Sequence, residues 1–240
     1  MNPYKQLTRA CEALCAELAP LEFAAPVTHV YNPFEYARAA YFDYLRRYAS
    51  TPKQIVYLGM NPGPFGMTQT GVPFGEVSMV RDFLGVRGRI DKPAHEHPKR
   101  PVEGFDCKRS EVSGARLWGA IQAKHAAATK FFDHAFISNY CPLVFMEESG
   151  RNRTPDKLRP NERELLYEAC DRHLRSVVDA LQPKLVIGIG KFAESRARVA
   201  LADRAITIGT IPHPSPASPA ANRGWAALAE AALGRLGVGL

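Results

Sequence analysis

Two stiff loops carry the polar side chains best suited to chemistry, Asn61 and His213. Asn61 lies in a segment, residues 59–76, that contains three prolines and five glycines and directly follows a short apolar strand. His213 lies between Pro212 and Pro214 and follows another apolar strand. Proline fixes φ and glycine permits positive φ, so each loop can hold its side chain in one geometry. We therefore interpret Asn61 and His213 as the two halves of one active site.

A parallel sheet is the structure that would position these loops. Apolar strands alternate with helices along the chain, which indicates parallel pairing with right-handed crossovers. We predict a single α/β domain, residues 1–240: a three-layer α/β/α sandwich with a central, mainly parallel sheet. The predicted strands are 54–58, 135–138, 184–189 and 205–211, and the predicted helices are 2–18, 33–48, 78–84, 113–124, 161–181, 191–202 and 224–236.

The carboxyl edge of that sheet is the expected ligand site. Parallel strands all end at this edge, and open α/β sheets bind ligands there. Asn139 follows the second predicted strand, so it is expected to line one pocket with Asn61 and His213. Phe74 lies between Pro73 and Gly75 in the first loop, where a flat ring can stack on a planar base. Between strands, residues 149–160 are predicted to be a polar loop, after which Asn161 caps a helix and Glu164 completes a capping box.

The charge balance favours a polyanionic partner. Lys and Arg exceed Asp and Glu by 31 to 24, which gives a net charge of +7 and a pI near 9.2. A basic balance bears on association and solubility rather than on fold. The basic residues cluster after the first loop, although a solvated loop is the simplest interpretation of this cluster alone: Arg81, Arg87, Arg89, Lys92, Lys99, Arg100, Lys108, Arg109 and Arg116.

Several classes of protein are disfavoured by composition. The five cysteines are odd in number and form no CxxC pair, which indicates reduced thiols and an intracellular protein. We assign no metal and no cofactor. No apolar run has the length of a membrane span and the N-terminus does not resemble a signal peptide. The sequence therefore predicts a soluble monomer, in the cytoplasm or nucleoid of a bacterium or the nucleus of a eukaryote.

Two other motifs suggest alternative functions, a dinucleotide-binding site and a serine hydrolase. Residues 188–193 (GIGKFA) match the G-x-G-x-x-A dinucleotide fingerprint, but the next strand ends without the expected acidic residue, so close packing of a helix on a strand is the better interpretation. Ser215 lies near His213, yet no nucleophile elbow is present. Trp118 and Trp225 are expected to be packing residues, and His95 and His97 surface histidines.

Several segments together resemble a known family, the single-strand-selective monofunctional uracil-DNA glycosylases. The resemblance covers roughly residues 25–236 in one unbroken order, far more than a short chance motif. The segments that carry it are 59–67 (GMNPGPFGM), 69–76 (QTGVPFGE), 96–102 (EHPKRPV), 110–116 (SEVSGAR), 139–143 (NYCPL), 149–152 (SGRN), 213–216 (HPSP) and 221–225 (ANRGW).

The resemblance implies a role for each matched position. Asn61 would position the attacking water and His213 would hydrogen-bond the uracil carbonyl as negative charge builds on the leaving base. Asn139 would recognise the amide edge of uracil and Phe74 would stack on its ring. Met60 and Gly63 would contribute backbone surface, with Gly63 leaving room at the 5-position for 5-hydroxymethyluracil.

The same resemblance implies DNA, single-stranded or duplex, as the partner. The base would be flipped out of the strand, and the absence of lysine from both loops predicts hydrolysis without strand cleavage. The basic cluster after the first loop, together with Arg116 and Arg223, is expected to contact the phosphates, and Ser215 is also assigned to DNA contact. In relatives an arginine that wedges into the duplex often follows His-Pro-Ser-Pro, whereas this chain has Ala217. Ser218, Asn222 or Arg223 would partly replace it, so weaker action on paired uracil is expected. A non-catalytic nucleic-acid-binding module and a nicotinamide enzyme remain open alternatives.

Overall fold

The computed structural model describes residues 2–240. Their strands form two sheets. The strands are β1 (Val27–Tyr31), β2 (Ile55–Gly59), β3 (Ala135–Asn139), β4 (Val144–Glu147), β5 (Asn152–Arg153), β6 (Leu185–Ile189) and β7 (Thr207–Ile211). The larger sheet has the order β3-β2-β6-β7, and all of its neighbouring strands are parallel. The prediction of a central, mainly parallel sheet is confirmed.

Helices cover both faces of the parallel sheet. Every residue of β2, β3 and β6 is buried, and since alternate residues of a strand face opposite sides, neither face is open to solvent. One hydrophobic core contains side chains from most of the chain, with Leu7 the first and Leu240 the last in sequence. The α-helices are α1 (Pro3–Leu18), α2 (Pro33–Tyr36), α3 (Arg38–Tyr48), α4 (Met67–Thr70), α5 (Val112–Lys124), α6 (Ala128–Phe132), α7 (Pro160–Leu181), α8 (Lys191–Ala200) and α9 (Trp225–Gly234).

The structure divides one predicted helix in two and gives the type of another. The helix expected over 33–48 is broken at Ala37, whose φ and ψ are −107° and 20°, giving α2 and α3. The helix expected at 78–84 is a π-helix, Met79–Phe83. The spacing of apolar residues predicts which side of a helix is buried. It does not predict a local break in the helix or a change in helix type.

The start of α7 also differs from the prediction that Asn161 and Glu164 cap it. Arg159 is the N-cap residue and Pro160 takes the first helical position, where its missing N–H costs nothing. The Oε2 atom of Glu162 accepts the Arg159 N–H at 3.2 Å. Its Oε1 accepts the N–H of Ala24 at 2.7 Å, so the helix start is joined to a segment distant in the chain.

A second, antiparallel sheet is absent from the sequence prediction. Its order is β1-β4-β5, and β5 falls inside the segment predicted to be a polar loop. Strand β5 has only two residues, Asn152 and Arg153, and their backbone pairs with β4, so no alternating pattern could reveal it. The consequence for the site is that Asn152 and Thr154 are brought to its wall.

No helix within residues 2–240 is both long enough and apolar enough to cross a membrane.

Candidate active site

The two stiff loops meet around a cavity of about 430 Å³ at the carboxyl edge of the parallel sheet. We call it the base cavity. It lies above the point between β2 and β6 where the strand order changes direction, since β3 lies on one side of β2 and β6 and β7 on the other. The structure brings together all six residues that the sequence assigned to catalysis and base binding: Met60, Asn61, Gly63, Phe74, Asn139 and His213.

The amide of Asn61 is oriented by the protein backbone. Its Nδ2 donates to the carbonyl oxygen of Leu143 at 3.0 Å and lies 3.4 Å from that of Pro62. Because carbonyl oxygens only accept, this contact fixes which end of the amide is the NH₂ group. Oδ1 therefore remains available as an acceptor for a water or a substrate hydroxyl in the base cavity.

Asn139 and Phe74 approach each other across Gly59. A Cβ atom placed on Gly59 would lie 2.3 Å from Oδ1 of Asn139 and 2.6 Å from Cε2 of Phe74. Such distances are shorter than any tolerated carbon contact, so only glycine permits this arrangement at the end of β2. Asn139 itself is buried, and its Nδ2 contacts Sδ of Met67 at 3.3 Å. An amide edge and an aromatic ring thus face the same small space.

Phe74 is held in a backbone conformation that is unusual for its residue type. Its φ is +54°, in the left-handed region that non-glycine residues rarely adopt. The indole N–H of Trp118 donates to the Phe74 carbonyl at 3.0 Å. A Cβ on Gly114 would lie 2.0 Å from that oxygen, so the missing side chain lets α5 approach. The strain supports a functional interpretation of this ring, because the surrounding structure must hold it.

The environment of His213 determines its tautomer. Its Nδ1 atom is 3.0 Å from the backbone nitrogen of Ser215, whose N–H it accepts. Burial lowers the pKa of His213, because an imidazolium would lose hydration there. The neutral ring with Nδ1 as acceptor must carry its proton on Nε2. His213 is therefore built as a neutral hydrogen-bond donor, and its ring centroid lies 5.9 Å from that of Phe74.

The glycine pair at 188 and 190 explains how His213 reaches the base cavity. Strand β6 lies between β2 and β7, so His213, which follows β7, must extend over the end of β6. Gly190 directly follows β6 with φ +94°, and a Cβ there would lie 3.3 Å from Cβ of His213. A Cβ on Gly188 would lie 2.3 Å from the backbone nitrogen of Glu194 in α8. Close packing, the interpretation preferred from sequence, is confirmed for this motif.

A hydrogen-bond network supports the loop that bears His213. The Trp225 indole donates to the Pro212 carbonyl at 2.7 Å. Arg116 donates through Nη1 to the Pro214 carbonyl at 2.9 Å and through Nη2 to Oδ1 of Asn222 at 2.8 Å. Asn222 in turn donates to the Pro216 carbonyl at 2.9 Å. Arg116 and Asn222, assigned to DNA contact from sequence, thus hold the loop, and any contact of theirs with DNA stays a prediction.

The remaining residues expected to bind DNA lie around the rim. Ser215 lines the base cavity, and its Oγ accepts the Ala217 N–H at 3.1 Å. Ser218 is half-buried and donates its N–H to the Ser215 carbonyl at 3.0 Å. Ala217 and Arg223 are exposed. The turn therefore presents a methyl group where the resemblance led us to expect an arginine.

Four polar residues that line the base cavity were given no role from sequence: Glu111, Ser113, Asn152 and Thr154. Glu111 is the N-cap of α5, and its carboxylate accepts the N–H of Ser113 at 3.1 Å. Burial raises the pKa of Glu111, with the backbone hydrogen bonds opposing that rise. Glutamate is not among the residues preferred at an N-cap, so helix-capping preferences did not identify Glu111. Asn152 lies in segment 149–152, which carries the resemblance, but it was given no place in the site because β5 was not predicted.

One histidine prediction is wrong. His97 was expected at the surface, but it is buried and its Nδ1 accepts the Lys99 N–H at 3.0 Å. Its Nε2 lies 3.1 Å from the Glu147 carbonyl, so it joins its loop to β4. His95 is exposed as expected. Across residues 2–240, no three His, Cys, Asp or Glu side chains are grouped as metal ligands.

Comparison with known sequences defines the class of protein. A sequence model of the uracil DNA glycosylase superfamily matches residues 47–232, a range that includes both stiff loops and the whole parallel sheet. The chain therefore belongs to the uracil-DNA glycosylase superfamily. The crystal structure of wild-type SMUG2 from Pedobacter heparinus has the same fold, with a TM-score of 0.64, 18% identity and coverage of 89% of this chain and 88% of that one.

Curated relatives narrow the class further. The single-strand selective monofunctional uracil-DNA glycosylase of Rattus norvegicus is 49% identical over 227 residues, which cover 94% of this chain and 82% of the rat protein. The corresponding protein of Bos taurus is 50% identical over 224 residues, which cover 92% of this chain and 82% of the bovine one. The resemblance found from sequence is confirmed at the level of the family.

Proposed function

We propose that this member of the uracil-DNA glycosylase superfamily removes uracil from DNA by hydrolysing the bond between C1′ of deoxyribose and N1 of the base, in base-excision repair. One observation carries the proposal. The free amide oxygen of Asn61 and the imidazole donor of His213, distant in the sequence, belong to one cavity that also holds a flat ring and a second amide.

The proposed reaction uses these groups without a covalent protein intermediate. Oδ1 of Asn61 accepts a hydrogen bond from a water and orients its lone pair toward C1′. The C1′–N1 bond breaks with its electron pair going to the base, while the sugar becomes oxocarbenium-like and then bonds to the water oxygen. The Nε2–H of His213 donates to the uracil O2 as negative charge develops. The water loses a proton to solvent, the base gains one, and the products are free uracil and an abasic site.

A neutral histidine suits this task. A preorganised donor stabilises the base anion in the transition state without having to transfer its proton. Loss of one such donor costs about 3 to 4 kcal/mol, or a factor of 10² to 10³ in rate. Asn139 would read the N3–H and O4 edge of uracil, and Phe74 would stack on the ring. Of the residues 2–240, those that line the base cavity include no lysine, which supports hydrolysis without strand cleavage.

Two finer features of substrate choice are part of the proposal. A Cβ on Gly63 would meet no atom within 4 Å, so this glycine serves neither packing nor a positive φ. Its effect is to leave space in the base cavity, which supports acceptance of a 5-substituted base such as 5-hydroxymethyluracil. Base flipping costs a few kcal/mol, least from a single strand. With Ala217 at the exposed turn, we expect single strands to be preferred over duplexes.

The test is to incubate the protein, without metal or cofactor, with a single-stranded oligonucleotide that contains one uracil. We expect free uracil and alkali-labile sites, with strands left intact before alkali. Asn61→Ala and His213→Ala should each lower the single-turnover rate by about 10² or more. Asn161→Ala and His95→Ala are matched controls, because they make the same deletions at exposed positions.

The outcomes separate the candidate functions. Retention of the oligonucleotide without uracil release would indicate a binding module, and neither binding nor release would be expected of a nicotinamide enzyme. Wild-type rates in folded Asn61→Ala and His213→Ala variants would contradict the assigned roles.

A further inference from the structure

A second cavity, of about 470 Å³, lies beside the base cavity and is unused by the proposed reaction. We call it the Phe65 cavity. Phe65 lies in the first stiff loop between Gly63 and Gly66, both of which line the base cavity, so the two cavities share this loop as a wall. The other lining side chains include four cations and two carboxylates: Lys99, Arg100, Lys108 and Arg109, with Glu103 and Asp106.

The cations of the Phe65 cavity differ from three of the four that precede them in the basic cluster, Arg81, Arg89 and Lys92. Upstream, local carboxylates neutralise the charge: Arg81 pairs with Asp82 at 2.8 Å and Lys92 with Glu96 at 2.9 Å. By contrast, no carboxylate in residues 2–240 lies within 4.0 Å of a cationic nitrogen of the four cavity cations: Lys99, Arg100, Lys108 and Arg109. Their charge is therefore available to an anionic ligand.

Two of these cations are preorganised on one aromatic ring. The guanidinium carbons of Arg100 and Arg109 lie 5.6 Å and 5.0 Å from the ring centroid of Phe65, within the range of cation–π contacts. Nη1 of Arg100 donates to the Lys99 carbonyl at 2.7 Å, while its Nε is buried and, among residues 2–240, has no acceptor. A buried donor without a partner is costly, so the hydrogen-bonding capacity of the Arg100 guanidinium is not satisfied by the protein alone.

The Phe65 cavity is held at a fixed position relative to the base cavity. Gln69 is buried, and its Nε2 donates to the carbonyls of Pro64 and Pro101, both at 3.0 Å. Its Oε1 accepts the N–H of Glu103 at 2.8 Å and of Gly104 at 3.1 Å. One side chain thus fastens the loop that bears Arg100 to the loop that bears Asn61. A ligand spanning both cavities would bind without ordering either loop.

We propose that the Phe65 cavity binds one backbone phosphate of the DNA strand next to the everted nucleotide, with Arg100 and Arg109 as its ligands. Arginine presents planar N–H pairs that match phosphate oxygens, and such charge-assisted bonds are stronger than neutral ones. This inference rests on the proposed function, because it takes DNA as the substrate. It adds a specific subsite to the general expectation of a basic surface.

The test replaces single phosphates of a uracil-bearing single strand by uncharged methylphosphonates, one position at a time. Dissociation constants and single-turnover release are measured for the wild type and for Arg100→Gln/Arg109→Gln. At one position, the replacement should weaken wild-type binding about 10-fold or more, as expected for a lost charge-assisted bond. The variant should bind the unmodified strand correspondingly less well and be insensitive to the replacement at that position.

Two further variants complete the design. Lys130→Gln/Lys184→Gln removes two exposed charges next to the amino ends of β3 and β6 and serves as the charge-matched control. It should respond to every replacement as the wild type does. Phe65→Leu keeps an apolar side chain but removes the ring, and it should weaken the response at the same position. The salt dependence of binding should lose about 0.7 in slope in the arginine variant, the value for one single-strand phosphate contact.

Different results would refute the phosphate subsite and the proposed function. If folded Arg100→Gln/Arg109→Gln responds to every replacement as the wild type does, the phosphate subsite is refuted while uracil release stands. If the wild type binds the strand but releases no uracil, the proposed function is refuted, and the binding measurements still decide whether the subsite exists.

Discussion

Substitution of Gly190 by alanine tests whether glycine is required at this position because of its close contact with His213. Gly190 has φ +94° and ψ 163°, a conformation almost restricted to glycine. Holding alanine there costs about 1 to 3 kcal/mol. For a chain of this size 1 kcal/mol lowers the melting temperature by about 2 to 4 °C, so we expect a decrease of about 2 to 12 °C.

The effect on activity comes from a separate contact. The new Cβ would lie 3.3 Å from Cβ and 3.6 Å from Cδ2 of His213, so the imidazole must move by a few tenths of an ångström. A misplacement of about 1 Å can cost a factor of about 10² in rate, so we expect a loss of about tenfold. The measurement is the single-turnover rate of uracil release at saturating enzyme and at a temperature where every variant is folded.

Gly237→Ala separates backbone strain from displacement of the histidine. Gly237 also has a positive φ, +74°, but a Cβ there would meet no atom within 4 Å. We expect this control to lose stability while its rate stays at the wild-type value. If folded Gly190→Ala releases uracil as fast as the wild type, or if both variants lose the same activity, the proposed link between Gly190 and His213 is wrong.

Three other perturbations have defined outcomes. Gly63→Phe should place its ring in the base cavity and, in competition assays, reduce excision of 5-hydroxymethyluracil more than that of uracil; an unchanged ratio would contradict the role of the open space. Burial lowers the pKa of His173 to about 4, below its value in the unfolded chain, so stability should fall by up to about 3 kcal/mol as the pH falls from 6.5 toward 4. Urea midpoints at pH 7.5 and 4.5 should show this, and His173→Leu should reduce the difference. Ala217→Arg should raise excision from duplexes relative to single strands, and an unchanged ratio would show that this exposed position does not govern duplex entry.

Much of the site could be predicted because its signals are local. Prolines and glycines beside Asn61 and His213 act on the backbone where they stand, and apolar runs before each loop identify strands that end there. Parallel pairing then places the strand ends at one edge. For the same reason the helix starts and the short strands were predicted less well: the start of α7 depends on Ala24, and β5 is defined by its partner β4.

The sequence by itself determined the family, the parallel α/β architecture and six of the residues that line the base cavity, because these depend on motifs and patterns within short segments. The tertiary structure determined the contacts that hold those residues in position. Strand order places β6 between the strands that precede Asn61 and His213. Gly190, at the end of β6, therefore lies against His213, where a side chain would crowd the histidine. Arg116 and Trp225 support the histidine loop, and Gln69 joins the Phe65 cavity to the base cavity. Each of these depends on hydrogen bonds or packing between segments far apart in the chain, which no local pattern records.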